Sequence, residues 1–163
     1  MQTLLQIWKI YLDTCCLNRP FDDQTQARIR RETEAVQAIL ARFFTSDWQW
    51  ITSTVLVNEI SKTPDATLRD DMEALLSLAH QNVSVGAPEK TRYAQLKSLG
   101  FKWLDALHIA CAESGGTDIL LTTDDQMLRR AKHFRSQLRV RVENPYTWLE
   151  EIAENEHTRS ARN

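Results

Sequence analysis

The chain has 163 residues, of which 42% are hydrophobic and 26% charged, and its formal net charge is −2. That length predicts a single domain over residues 1–163, with a core over about residues 9–150, large enough to bury about two-thirds of the surface that the unfolded chain exposes. The weak charge excludes a protein-wide field that gathers nucleic acid, and no apolar run approaches the length of a membrane span.

The opening MQTLLQIWK has neither a basic start nor a small-residue cleavage site, so the expected location is the cytoplasm. The first strand is expected over Lys9–Leu12, where KIYL is followed at once by Asp13. Cys15 and Cys16 come next. Neighbouring cysteines bridge poorly, and three in all make no disulfide framework, so both are expected to fill space. Ile29, Val36, Ile39, Leu40 and Phe43 follow helical spacing between Thr25 and Phe44. A second strand is expected over Trp48–Thr52, and Ser53 is placed to cap a helix over TVLVNEISK. Pro64 should end that helix and separate it from another over Ala66–Ala79.

A third strand is expected over Asn82–Val85. Pro88 opens a helix that stops near Gly100, and a further helix runs from Lys102 to Glu113 with Gly115 and Gly116 beyond it. The continuous apolar ILL inside Asp118–Thr122 reads as a central strand. TDDQMLRRAKHF is helical, Leu138–Val142 alternates as a half-exposed outer strand, and NPYTWLEEIAE forms a last helix with a frayed tail from Glu154. Strands alternating with helices predict an α/β fold: a three-layer α/β/α sandwich on a central, mainly parallel five-stranded sheet.

Parallel sheets hold their sites at the carboxyl ends of the strands. Asp13 lies just past the first strand and Asp124 just past the fourth. Right-handed crossovers start their helices at that same edge. This brings Glu59, in the helix after Ser53, and Asp105, in the first turn of its helix, toward the other two. Taken alone, Asp13 and Asp124 read as cap or turn residues, Asp105 as a charge favouring its helix dipole, and Glu59, between Val57 and Ile60, as a residue on a solvent face. Together they demand a cation or protons, since two carboxylates about 4 Å apart repel by about 4 kcal/mol at an effective dielectric of 20. Hard oxygen ligands suit Mg²⁺ or Mn²⁺ rather than zinc. The four glycines form no phosphate-binding loop, and no HExxH is present. His108 reads as a satisfied core residue.

The pieces IYLDTCCL, TSTVLVNEI, LDALHIACA and ILLTTDD, in this order between Lys9 and Asp125, resemble the PIN domain, the metal-dependent nuclease fold of the ribonuclease toxins in bacterial toxin–antitoxin pairs. The resemblance implies an acidic quartet of Asp13, Glu59, Asp105 and Asp124 that is both catalytic and metal-binding, holding Mg²⁺ or Mn²⁺. Thr14 and Thr122 match positions of supporting hydroxyls, and Asp125 competes with Asp124 for the fourth place. It implies endoribonuclease activity on RNA leaving a 5′-phosphate and a 3′-hydroxyl, and leaves room for an antitoxin partner and a homodimer. Arg129 and Arg130 open a basic run that extends through Lys132, Arg135, Arg139 and Arg141, placed to bind substrate phosphates. The segment NRPFDDQTQARIR is longer and more polar than a compact toxin carries. Two rivals remain. A haloacid-dehalogenase-like phosphatase requires an aspartate where Cys15 stands, and a non-catalytic RNA- or protein-binding module would retain the site as a relic.

Overall fold

The computed structural model describes residues 6–45 and 47–162. Its strands are β1 (Lys9–Leu12), β2 (Gln49–Ser53), β3 (Gln81–Val83), β4 (Ile119–Leu121) and β5 (Arg141–Glu143). They form one sheet in the order β3-β2-β1-β4-β5. Every pairing is parallel, with Tyr11 opposite both Ile51 and Leu120. The expected sheet is therefore present, and it is wholly parallel.

The helices are α1 (Thr14–Asn18), α2 (Ala27–Thr45), α3 (Thr54–Ser61), α4 (Ala66–Leu76), α5 (Ala87–Ser98), α6 (Trp103–Ser114), α7 (Asp125–His133) and α8 (Pro145–Ala161). They cover both faces of the sheet because successive strand side chains point to opposite sides. Ile10, Leu12, Trp50, Ile119 and Leu121 enter a core shared with α2, α3, α4 and α8. Tyr11, Ile51 and Leu120 enter a second core shared with α5, α6 and α7. In the first core Trp50 stacks on Phe43 with ring centroids 5.4 Å apart and planes 3° from parallel. Such an offset pair adds about 0.5–1.5 kcal/mol to area burial.

Local signals explain the boundaries. Ser53 Oγ accepts from Leu56 N at 3.2 Å and starts α3, and Asp65 caps α4 through Leu68 N at 3.0 Å. Gly100, at φ +92°, closes α5 in a conformation that a side chain would strain.

Two expectations are corrected, and one helix is present that none foresaw. The outer strand does not span Leu138–Val142. Arg135–Gln137 forms a 3-10 turn, and Arg139 N donates to Glu113 Oε1 at 3.0 Å, so a side chain takes the donor a ladder would need. Val140 is still buried, and only Arg141–Glu143 pairs with β4. The tail from Glu154 is not frayed, since α8 continues to Ala161. Finally, α1 forms directly after Asp13, in a stretch with no helical period to announce it.

Candidate functional site

The strand order reverses at β1, which pairs with β2 on one side and β4 on the other. Ligands of open α/β sheets bind outside the carboxyl ends of the strands at such a switch point. Asp13 stands there because its backbone N–H continues the ladder to Leu121 O at 2.9 Å. Its side chain is nearly buried. Oδ1 accepts from Thr14 N at 2.8 Å, and Oδ2 accepts from the Thr122 hydroxyl at 2.9 Å. Thr122 therefore supports Asp13 directly. The Thr14 hydroxyl is buried without a hydrogen-bond partner.

Glu59, in the second turn of α3, reaches Asp13 through a residue the sequence reading set aside. His108 Nε2 bonds Glu59 Oε1 and lies 3.6 Å from Asp13 Oδ1. One donor atom from each of these three residues fits within 4.8 Å of the others. His108 is indeed buried and satisfied, but its partners belong to the site. Its Nδ1 meets Tyr11 Oη at 2.6 Å, and Tyr11 Oη meets Ser53 Oγ at 2.6 Å. Burial alone pulls the imidazole down, yet the bond to Glu59 and the charges of Asp13, Glu59 and Asp105 hold it above its ordinary value. With both ring nitrogens protonated, His108 donates to Glu59 and Tyr11, and Tyr11 donates to Ser53. Burial keeps the Tyr11 phenol protonated, well above its usual range. A signal for His108 existed in the sequence: it lies three residues after Asp105, on the same helical face.

Asp105 sits one turn earlier on α6 and stands outside that close cluster. Burial, then the charges of Asp13 and Asp124, push its carboxyl from 3.8 up to about 6. Asp124 caps α7, its Oδ1 accepting from Gln126 N at 2.9 Å and Met127 N at 3.2 Å. Asp125 points elsewhere. Arg28 grips it with two bonds of 2.8 Å and holds its carboxyl below the ordinary range. Arg28 also bonds Thr123 O at 3.1 Å and the buried Glu32, which in turn takes Arg19 and Asn144. The long polar segment after α1 thus braces the loop that carries Asp124.

The cysteines differ from each other. Cys16 is buried, and that burial raises its thiol well above the usual range. Cys15 is more than filler. Because α1 starts at once, its Sγ turns toward β4, 3.3 Å from both Thr122 Oγ1 and Thr123 N and 3.5 Å from Asp13 Oδ2.

The arginines divide likewise. Arg141 is paired with Glu151 and Glu143, and Arg139 lies off the strand, so the two do not share a strand face. Arg129 and Arg130 border a cavity that also contains Asp105.

The chain is thus a parallel α/β sandwich that gathers Asp13, Glu59 and His108 at its switch point. The family model of the PIN domain matches residues 10–133, and the chain belongs to that family, whose members are generally nucleases. Among solved structures, the chain is similar to VapBC-1 from nontypeable Haemophilus influenzae, at a TM-score of 0.54 and 14% identity, over 84% of this chain and 98% of the other. It is similar to DNA-bound VapBC from Salmonella typhimurium at 0.55 and 14%, over 85% and 99%. It is also similar to VapBC2 from Rickettsia felis bound to a promoter DNA fragment, at 0.50 and 14%, over 83% and 98%. These likenesses establish the fold. No curated protein matches the chain.

Proposed function

We propose that this PIN domain is a metal-dependent endoribonuclease, with Asp13, Glu59, Asp105 and Asp124 as its acidic site and Mg²⁺ or Mn²⁺ as its cofactor. One observation carries the reading. At the switch point Asp13, Glu59 and His108 each bring one ligand atom within 4.8 Å of the others, and burial together with the charges of Asp13 and Asp124 raises the neighbouring Asp105 carboxyl to about 6. The residues also fit a hard cation chemically, since carboxylate oxygens dominate and Asp124 Oδ1 alone of its pair is committed to the helix cap. A divalent ion held there would activate a water and stabilise charge on the phosphodiester.

The chain's own groups have separate tasks. Thr122 orients Asp13, and His108, backed by Tyr11 and Ser53, orients Glu59. Arg129 and Arg130 bind substrate phosphates. The similarity to VapBC structures supports an antitoxin protein as partner, and makes DNA-bound assembly with it a reading to test.

The test is cleavage of single-stranded RNA with Mg²⁺, Mn²⁺ or EDTA, using Asp13→Asn as the control. Metal-dependent cleavage with 5′-phosphate ends supports the reading. A second reading, a non-catalytic binding module, draws on His108 standing where its own charge offsets Glu59 and Asp13 without a metal. RNA binding without cleavage in either metal would favour it.

A further inference from the structure

Beside the acidic site, between the first turn of α6 and α7, lies an open cavity of about 550 Å³. Small-molecule sites occupy about 300–1,000 Å³. Asp105 forms the wall nearest the acids, and Phe101 and Met127, both buried, form an apolar floor. Lys102, Arg129, Arg130, His133 and Phe134 are among the other walls. Lys102 and Arg129 make no side-chain hydrogen bond or ion pair with a described residue. Arg130 differs. Its Nη1 donates to Leu99 O at 3.2 Å and fits only because Gly100 has no Cβ, which would come within 2.5 Å of it. Arg130 is thus tied to that carbonyl, whereas Arg129 and Lys102 keep their donors free of hydrogen bonds and act on Asp125 and Asp105 only through their charge. His133 and Phe134 pack edge to face, with centroids 4.7 Å apart, and bring ring surface to the same space.

We propose that this cavity is a nucleotide subsite. It takes the base of the single-stranded RNA residue adjoining the scissile phosphodiester, stacked on Phe134, with that residue's phosphate on Arg129 and Lys102. The proposal rests on the ribonuclease reading and deepens it. Two cations without hydrogen-bond partners would by themselves accept any anion, an acidic peptide included. The aromatic wall selects a ligand that joins an anion to a flat ring, and a nucleotide is such a ligand. Asp105 repels the phosphate from its own side, which leaves Arg129 and Lys102 as its seat. Stacking on an aromatic is tolerant of sequence because every base has a π-face.

The experiment measures binding of a labelled single-stranded RNA to the full chain in EDTA, at several salt concentrations. Nucleoside 5′-monophosphates and inorganic phosphate serve as competitors. Phe134→Ala should weaken RNA binding about 5- to 150-fold, and Phe134→Tyr should restore it. Phe134→Leu, which keeps apolar packing without a ring, should bind as poorly as Phe134→Ala and covers the case in which the smaller variant fails to fold. Arg129→Ala should lower the log–log salt slope by roughly 0.7, and Arg139→Ala, outside the cavity, should not. Binding that is unchanged in folded Phe134→Leu overturns the subsite, as does inorganic phosphate competing as well as a nucleoside monophosphate. Cleavage in Mn²⁺ is scored separately. Its absence from a wild type that still shows the Phe134 dependence sinks the ribonuclease reading and leaves the subsite standing.

Discussion

Asp105→Asn should make the metal-free protein more stable, and only above about pH 4. The carboxyl stands at about 6 in the folded chain against an ordinary 3.8, because burial and then Asp13 and Asp124 disfavour its charge. For an acid raised on folding, the folded state holds the extra proton between those two values. Stability is therefore full below about pH 4 and falls as the pH climbs through 6. At about 1.4 kcal/mol per tenfold change in proton affinity the loss would be roughly 3 kcal/mol. The side chain is only partly buried, so solvent screening reduces this to about 1–2 kcal/mol. Asparagine keeps the shape and removes the charge. The variant should match wild type at pH 4 and melt higher at pH 8, by about 2–8 °C for a chain of this size. The assay is thermal unfolding in EDTA from pH 4 to 8, read as the difference between the two proteins at each pH, which cancels titrations they share. Millimolar Mn²⁺ should reverse the order, because wild type gains more from binding the ion. A variant that is less stable at pH 8, or offset equally at every pH, would refute the electrostatic account of Asp105.

Other outcomes follow from the same geometry. His108→Ala should cost about 1–3 kcal/mol, as Tyr11 and Glu59 lose a buried partner, and should blunt the Mn²⁺-induced rise in melting temperature. His108→Gln should recover part of both. Asp124→Ala should lose a helix cap worth about 0.5–2 kcal/mol together with cleavage. Asp125→Ala should keep cleavage, and equal loss in both would reopen the choice between them. Cys16→Ala should cost a packing-sized 1–3 kcal/mol or so and leave cleavage largely intact. Cys15→Ser should keep activity because its contacts with Thr122 and Thr123 suit a hydroxyl, and a folded but inactive Cys15→Ser would give the thiol a chemical role.

How much of this was legible in the chain depends on the range of the interaction. The positions of β1, β2 and β4, the Ser53 cap, the end of α3 before Pro64 and the acids just past β1 and β4 follow from local spacing and backbone chemistry, and they read correctly from residues alone, whereas the third strand, expected over Asn82–Val85, is Gln81–Val83. The parallel sheet also read correctly, because alternating elements leave few ways to bury both faces. The outer strand read wrongly because Glu113, 26 positions away along the chain, captures the Arg139 N–H that a ladder would have used. The difference in surroundings between Asp124 and Asp125 was invisible for a similar reason: the two are adjacent and chemically alike, and Arg28, 97 positions away along the chain, pairs with Asp125. His108 looked like core because burial and polarity are both local readings, whereas its meaning lies in Tyr11 and Asp13 at the end of β1 and Glu59 on α3. Sequence by itself determined which side chains the edge of the sheet would offer. Only tertiary packing decided how their charges are balanced, because electrostatic partners are chosen by distance in space and not along the chain.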